Sequence, residues 1–144
     1  MNRQIKFRGY VKDISKFGDD VVPHKGHFVF GNLIHGKAFS YIVGEMVEAN
    51  DEYATLEYWQ PVDNENIDEF TGLKDQNGKD IYENDILKVD SKAIAYVDML
   101  CGFWMIEYSD TARESLFYGE DEINEDVEVI GNIHENPELL EEDK

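Results

Sequence analysis

A chain of 144 residues with 13 basic and 32 acidic side chains carries a net charge of −19, which disfavours a bare phosphate backbone as partner. Its length fits one domain or two small lobes rather than a multidomain enzyme. At 42% apolar, with 2 Trp, 8 Tyr and 8 Phe, the chain has the side chains for a core and is not a disordered polymer.

Charges interrupt the N-terminal stretch Met1-Asn2-Arg3-Gln4-Ile5-Lys6-Phe7-Arg8 wherever a signal peptide would be apolar. In this stretch Ile5 and Phe7 alternate with Lys6 and Arg8, the period of two expected of a half-buried strand. Phe28 to Ile34 and Ala38 to Val43 are β-forming runs around His35-Gly36-Lys37, which predicts a hairpin with Gly36 at a positive φ. Gly44 to Glu52 fits either a helical turn or a loop. A further strand over Tyr53 to Trp59 is expected to end at Pro61, which cannot donate a ladder hydrogen bond.

The first 60 residues hold 7 basic and 8 acidic side chains and the remaining 84 hold 6 and 24. The acidity belongs to the second half, and the local pattern also changes around Pro61-Val62-Asp63-Asn64-Glu65-Asn66. A β-rich first lobe over residues 1–62 and an acidic second lobe over 63–144 are therefore expected, forming one compact unit.

In the second lobe, Asp75-Gln76-Asn77-Gly78 is a turn between Phe70-Thr71-Gly72-Leu73 and Ile81-Tyr82. Glu83-Asn84-Asp85 re-aims the chain into Ile86 to Val89, and Ala93 to Asp98 and Phe103 to Tyr108 continue a three-strand meander. Thr111 to Tyr118 reads two ways, as a short helix capped by Asp110 and closed by Gly119 or as a strand at Leu116-Phe117-Tyr118. An acidic connection from Glu120 to Asp126 leads to a last strand, Val127 to Ile133. Asn136-Pro137-Glu138-Leu139-Leu140 then has the N-cap, N1 proline and first-turn acid of a one-turn helix, and Glu141 to Lys144 should fray. The fold class expected is mainly β with minor helix, or α+β, with the second lobe a small barrel.

No two of the 11 glycines are two apart, so no G-x-G-x-x-G loop exists, and neither a P-loop nor a G-x-S-x-G elbow occurs. The Asp75 turn opens like an EF-hand, but its glycine is at the fourth position and Ile86 stands at the twelfth. His24, His27 and His35 have spacing that could bring two imidazoles to one metal, yet no cysteine or fourth ligand lies nearby. Cys101 with His134 would be a nucleophile and base, but Cys101 sits in an apolar run where a buried, inert thiol is expected. No catalytic, cofactor-binding or metal-ligating residue is assigned, and no cofactor.

The acids Glu120, Asp121, Glu122, Glu125, Asp126 and Glu128 read as a solvated face or as a mimic of nucleic-acid phosphates that attracts a basic partner. Tyr10, Tyr58, Trp59, Tyr82, Trp104, Tyr108 and Tyr118 lack the basic residues a single-strand stacking platform needs, so core and interface duty is expected of them.

The segment Phe70-Thr71-Gly72-Leu73-Lys74-Asp75-Gln76-Asn77-Gly78-Lys79-Asp80-Ile81-Tyr82-Glu83-Asn84-Asp85-Ile86 resembles the signature of the YopX family of phage and prophage proteins. Arg3-Gln4-Ile5-Lys6-Phe7-Arg8-Gly9-Tyr10 is similar to that family's N-terminal strand, and Val129-Ile130-Gly131-Asn132-Ile133-His134-Glu135-Asn136-Pro137-Glu138-Leu139-Leu140 to its closing motif. Asn84 stands where the family usually has glycine and His134 where it usually has an aromatic, and asparagine tolerates a left-handed backbone. The resemblance implies a phage-encoded, cytoplasmic protein of a bacterial host, β-rich and two-lobed, with an SH3-like barrel. It carries no activity onto any residue. A non-enzymatic accessory protein is expected, binding a host or phage protein through the acidic and aromatic surface of its second lobe; a homo-oligomer, the nucleic-acid mimic and a small enzyme with an unrecognised site are the alternatives. Direct nucleic-acid binding and a membrane span are not expected, since Met99 to Ile106, the longest strongly apolar uncharged stretch, is far short of the roughly 20 residues a spanning helix needs.

Overall fold

A computed structural model describes residues 4–18, 21–116 and 122–141. It is mainly β, with several antiparallel sheets and one short helix. The chain divides into two compact units, Gln4–Glu69 and a second from Phe70 onward.

In the first unit, β1 (Phe7–Tyr10) lies between β2 (Phe28–Ile34) and the start of β7 (Ile67–Lys74), antiparallel to both. β3 (Phe39–Val43) pairs with β2 as the predicted hairpin, and β6 (Trp59–Asp63) pairs with β3 as the sheet edge. Val11, Phe17, Val22, Val29, Ile42 and Val62 form the core. Phe17 reaches it from a 3-10 turn, Ile14–Phe17, whose N-cap Asp13 accepts hydrogen bonds from the Ser15 N–H and hydroxyl. Those bonds hold the Asp13 carboxyl below its usual value.

Several expectations are corrected here. Arg8 does not alternate outward with Lys6; it is buried, because Asp68 stands opposite it on β7 and binds its Nε at 2.9 Å, while Phe28 lies under the guanidinium at 4.6 Å. A buried charge is tolerated only with such partners. Gly36 does not take a positive φ. A Cβ there would lie 2.2 Å from the Phe39 carbonyl oxygen, so close approach and not turn handedness demands glycine. Pro61 does not end a strand but sits inside β6, an edge strand, where a residue without an N–H is tolerated. Gly44 to Glu52 is neither helix nor loop. It contains β4 (Met46–Ala49), which forms a two-stranded ribbon with β5 (Ala54–Leu56).

The second unit begins with the later part of β7, paired to β8 (Asp80–Tyr82) across the predicted turn. The Asp75 carboxylate is buried, and it accepts the N–H groups of Asn77 and Lys79 through Oδ1 and of Val129 through Oδ2, each at 2.9 Å. Gly78 has φ +79°. Asn84, in the turn between β8 and β9 (Asp85–Val89), has φ +67°, the left-handed conformation that asparagine can replace glycine in. The predicted meander is present as β9, β10 (Ala93–Leu100) and β11 (Phe103–Tyr108). The segment from Thr111 resolves as the short strand β12 (Arg113–Ser115), while Phe117 to Asp121, with the alternatives that rest on Tyr118 and Gly119 and part of the acidic connection, lies outside the described residues.

The last strand, β13 (Val127–Asn132), returns beside β9, giving the order β12-β11-β10-β9-β13. No sheet closes among the described residues, so the expected small barrel is an open five-stranded sheet. Ile81, Leu87, Val89, Ala95, Val97, Ile106, Leu116 and Val127 form its core. The one-turn helix α1 (Glu138–Glu141) follows, but the Asn136 side chain is not a free cap: its Oδ1 accepts the Asn132 N–H at 3.3 Å. The expected fraying of the last residues falls almost wholly outside the described residues.

Two destabilisations should be measurable by chemical denaturation. Asp68→Ala removes the buried carboxylate that binds Arg8 Nε and should cost about 3–5 kcal/mol. Gly78→Val, whose Cβ meets nothing within 4 Å, should cost about 1–3 kcal/mol through backbone strain alone. An unchanged midpoint in either variant would remove the corresponding assignment.

Candidate functional site

The sequence of the β10–β11 hairpin dictates its tip. Leu100 pairs with Phe103 across a two-residue loop, with Cys101 at φ +52° and Gly102 at φ +84°, a type I′ geometry that matches strand twist. A loop this short carries the flanking pair out to the end of the ribbon. Met99 and Leu100 are therefore exposed, and Phe103 is 68% exposed. Beside them lies an open groove of about 400 Å³ lined by Thr71, Leu73, Gly102, Phe103, Trp104 and Ser115. Leu73 and Trp104 also pack on the unit's core, so the groove floor is fixed by the fold. Its apolar lining is suited to receiving an apolar side chain.

Cys101 is exposed at this tip, contrary to the buried thiol expected of an apolar run. The run is apolar because it is a hairpin end, and not because it crosses a core. Sequence reasoning did not single out Phe103 or Leu100. The available signal was Cys101-Gly102 itself, since a two-residue turn between apolar neighbours puts both of them at a tip.

The described contacts of the histidines differ. His24 stacks on Phe17 at 4.2 Å and its Nδ1–H donates to the Gly26 carbonyl, whereas the His27 Nδ1–H donates to the Val11 carbonyl. His35 is exposed. Among the described residues, no three His, Cys, Asp or Glu side chains are placed to hold a metal ion. At the EF-hand-like turn, the Asp75 oxygens a calcium ion would need are occupied by three backbone N–H groups.

The aromatics grouped in the sequence are dispersed by the fold. Tyr82 is buried, Tyr58 packs against the first unit's core, Trp104 and Tyr108 pack against the second unit's, and Tyr10 contacts His27 and Phe28. Trp59 is 60% exposed on the edge strand β6, and Tyr118 lies outside the described residues. The acids divide as well. Asp75 and Asp85 are buried and accept backbone N–H groups, while exposed ones are spread over β12, the connection before β13 and α1. Glu120 and Asp121 of the acidic run lie outside the described residues.

One charged network crosses the second sheet. The Tyr96 hydroxyl donates to Glu107 Oε2 at 2.6 Å, and Arg113 Nη2 lies 3.4 Å from Glu107 Oε1. The hydrogen bond to Glu107, then burial, pushes the Tyr96 phenol up to about 12. Burial, with nearby carboxylates, also raises Tyr58 and Tyr108. Together with the lowered Asp13, these displaced groups all move away from neutrality, the opposite of what acid–base catalysis at neutral pH needs.

Because the Tyr96 value is raised above the ordinary phenol value of 10, its favourable contribution is present below about pH 10 and is lost as pH rises through about 12. In an ultraviolet titration, the difference between wild type and Tyr96→Phe should have its midpoint near 12, and Glu107→Gln should lower that midpoint. A wild-type midpoint at the ordinary phenol value would dissolve the network.

A family model described as YopX protein matches residues 24–141, which leaves the Arg3 to Tyr10 resemblance outside the match. No curated protein matches the chain.

Proposed function

The chain belongs to the YopX family, and from that premise we propose that it is a phage- or prophage-encoded accessory protein that acts by binding another protein. The observation that carries this reading is Phe103, 68% exposed at the rim of an apolar groove. A large aromatic held in water at a structured tip is the kind of anchor that buries on a partner and dominates binding energy. The groove beside it receives a partner side chain, so the two surfaces interlock. The acidic character of the unit steers a partner with positive rim charges.

The same proposal includes a finer fold assignment. A meander of four strands, β9 to β12, followed by a fifth, β13, beside the first supports reading the sheet as an opened SH3-like barrel. The bacterial cytoplasm, where a phage-encoded accessory protein would meet host proteins, is the compartment the proposal takes. Among the described residues, no helix is long and apolar enough to cross a membrane.

The test is affinity capture from a bacterial host lysate with wild type, Phe103→Ser and a surface control, Glu138→Gln. A partner recovered by wild type and the control but lost with Phe103→Ser, whose melting curve is unchanged, supports the reading. Equal recovery by all three chains, or steady turnover of a nucleotide, ester, phosphate or sugar substrate by the purified protein, would overturn it.

A further inference from the structure

The ribbon of β4 and β5 in the first unit is a second, chemically distinct surface. Residues 45–57 contain Glu45, Glu48, Asp51, Glu52 and Glu57 and no Lys or Arg. Between these acids, Met46, Val47 and Tyr53 are 61%, 66% and 51% exposed. Every residue of β4 is exposed, and so are Ala54 and Thr55 of β5. Among the described residues the two strands pair only with each other, so each presents an unpaired edge there.

A ribbon with both faces wet is marginal by itself, yet this one is fixed at foot and tip. The Gly44 N–H donates to the Tyr58 carbonyl, Glu57 and Glu45 exchange backbone and side-chain bonds, and the Tyr58 hydroxyl donates to the Phe30 carbonyl. At the tip, Asn50 Oδ1 accepts the N–H groups of Glu52 and Tyr53. The Tyr58 phenol, raised first by burial and then by Glu57 and Glu45, reports the negative field at the foot.

Acidic side chains on a free edge also serve to prevent aggregation. That duty explains the acids but not Met46, Val47 and Tyr53, since polar residues in their places would remove the hazard altogether. Apolar side chains kept in water on a structured ribbon are accounted for by a surface that covers them, and the surrounding five acids define that surface's charge.

We propose that the β4–β5 ribbon docks an extended segment of a partner protein in which Lys or Arg alternates with apolar residues, added as a third strand. The free edge supplies main-chain hydrogen bonds, Met46, Val47 and Tyr53 supply apolar contact, and the acids pair with the partner's cations. This goes beyond the Phe103 groove and does not depend on it.

The test uses a short synthetic peptide alternating lysine and valine, with oligolysine of equal charge as comparison, titrated against the full chain by calorimetry and by backbone NMR. The alternating peptide should bind at least about tenfold more tightly than oligolysine, with shifts centred on residues 45–57. Met46→Ser with Val47→Ser should reduce it to the oligolysine level, the Asn50 and Tyr53 amide signals showing the ribbon intact. Glu45→Gln with Glu48→Gln and Glu52→Gln should weaken binding and flatten its salt dependence, independently of the serine variant's folding. Removing the same charge elsewhere, by Glu125→Gln with Glu138→Gln and Glu141→Gln, should change little, and so should Phe103→Ser. Equal binding of oligolysine, equal loss with the remote triple variant, or an unaffected serine variant would each show non-specific attraction to an acidic protein and overturn the proposal.

Discussion

The second unit is organised by one carboxylate. Asp75 closes its own turn through the N–H groups of Asn77 and Lys79 and reaches 54 residues along the chain to the N–H of Val129. Its neighbours reinforce the link, Gln76 donating to the Val127 carbonyl and Lys74 donating to Glu122 while accepting from Asn124. A buried carboxylate has no water to satisfy it, so these donors must be in place for the turn to be buried at all. The two sequence blocks with the plainest family character, Phe70 to Ile86 and Val129 to Leu140, are therefore the two sides of a single hydrogen-bonded junction. What they have in common is architectural: each supplies hydrogen-bonding groups to that junction.

How much was legible follows from the range of the interactions. Hairpins set by adjacent residues were readable, because Gly78 and Asn84 carry their left-handed geometry locally and the flanking β-forming runs have nowhere else to pair. The meander from Ile86 to Tyr108 and the strand at Val127 were readable for the same reason. Arg8 was not, since its burial is caused by Asp68, 60 residues away. Pro61 was misread because edge and interior strands share a sequence signature, and only the sheet order shows that β6 is an edge. Barrel closure also failed to follow from strand count, since closure depends on which edges meet.

The exposed tip and ribbon were the least legible features. In both Met99 to Phe103 and Met46 to Leu56, apolar residues carry the usual signal of burial, and a linear pattern holds no record of whether another layer covers them. Turn length decides the first case: two residues at positive φ leave no chain to fold back over Phe103. Sheet membership decides the second, as β4 and β5 have no other strand beside them among the described residues.

The net charge of −19 gives these two surfaces a common physical setting. Among the described residues, the carboxylates of Asp68, Asp75 and Asp85 are withdrawn into the fold and bound there, so the acidity presented to solvent comes from the remainder. That remainder opposes the approach of a second copy over a Debye length of about 10 Å at 0.1 M salt. Exposed Phe103, Met46 and Val47 would otherwise favour self-association, and like-charge repulsion between copies works against it. A positively charged species is attracted by the same field. On the proposed binding role, apolar anchors set in an acidic surface would select basic partners over the protein's own copies, a selectivity that neither the apolar residues nor the acids would produce alone.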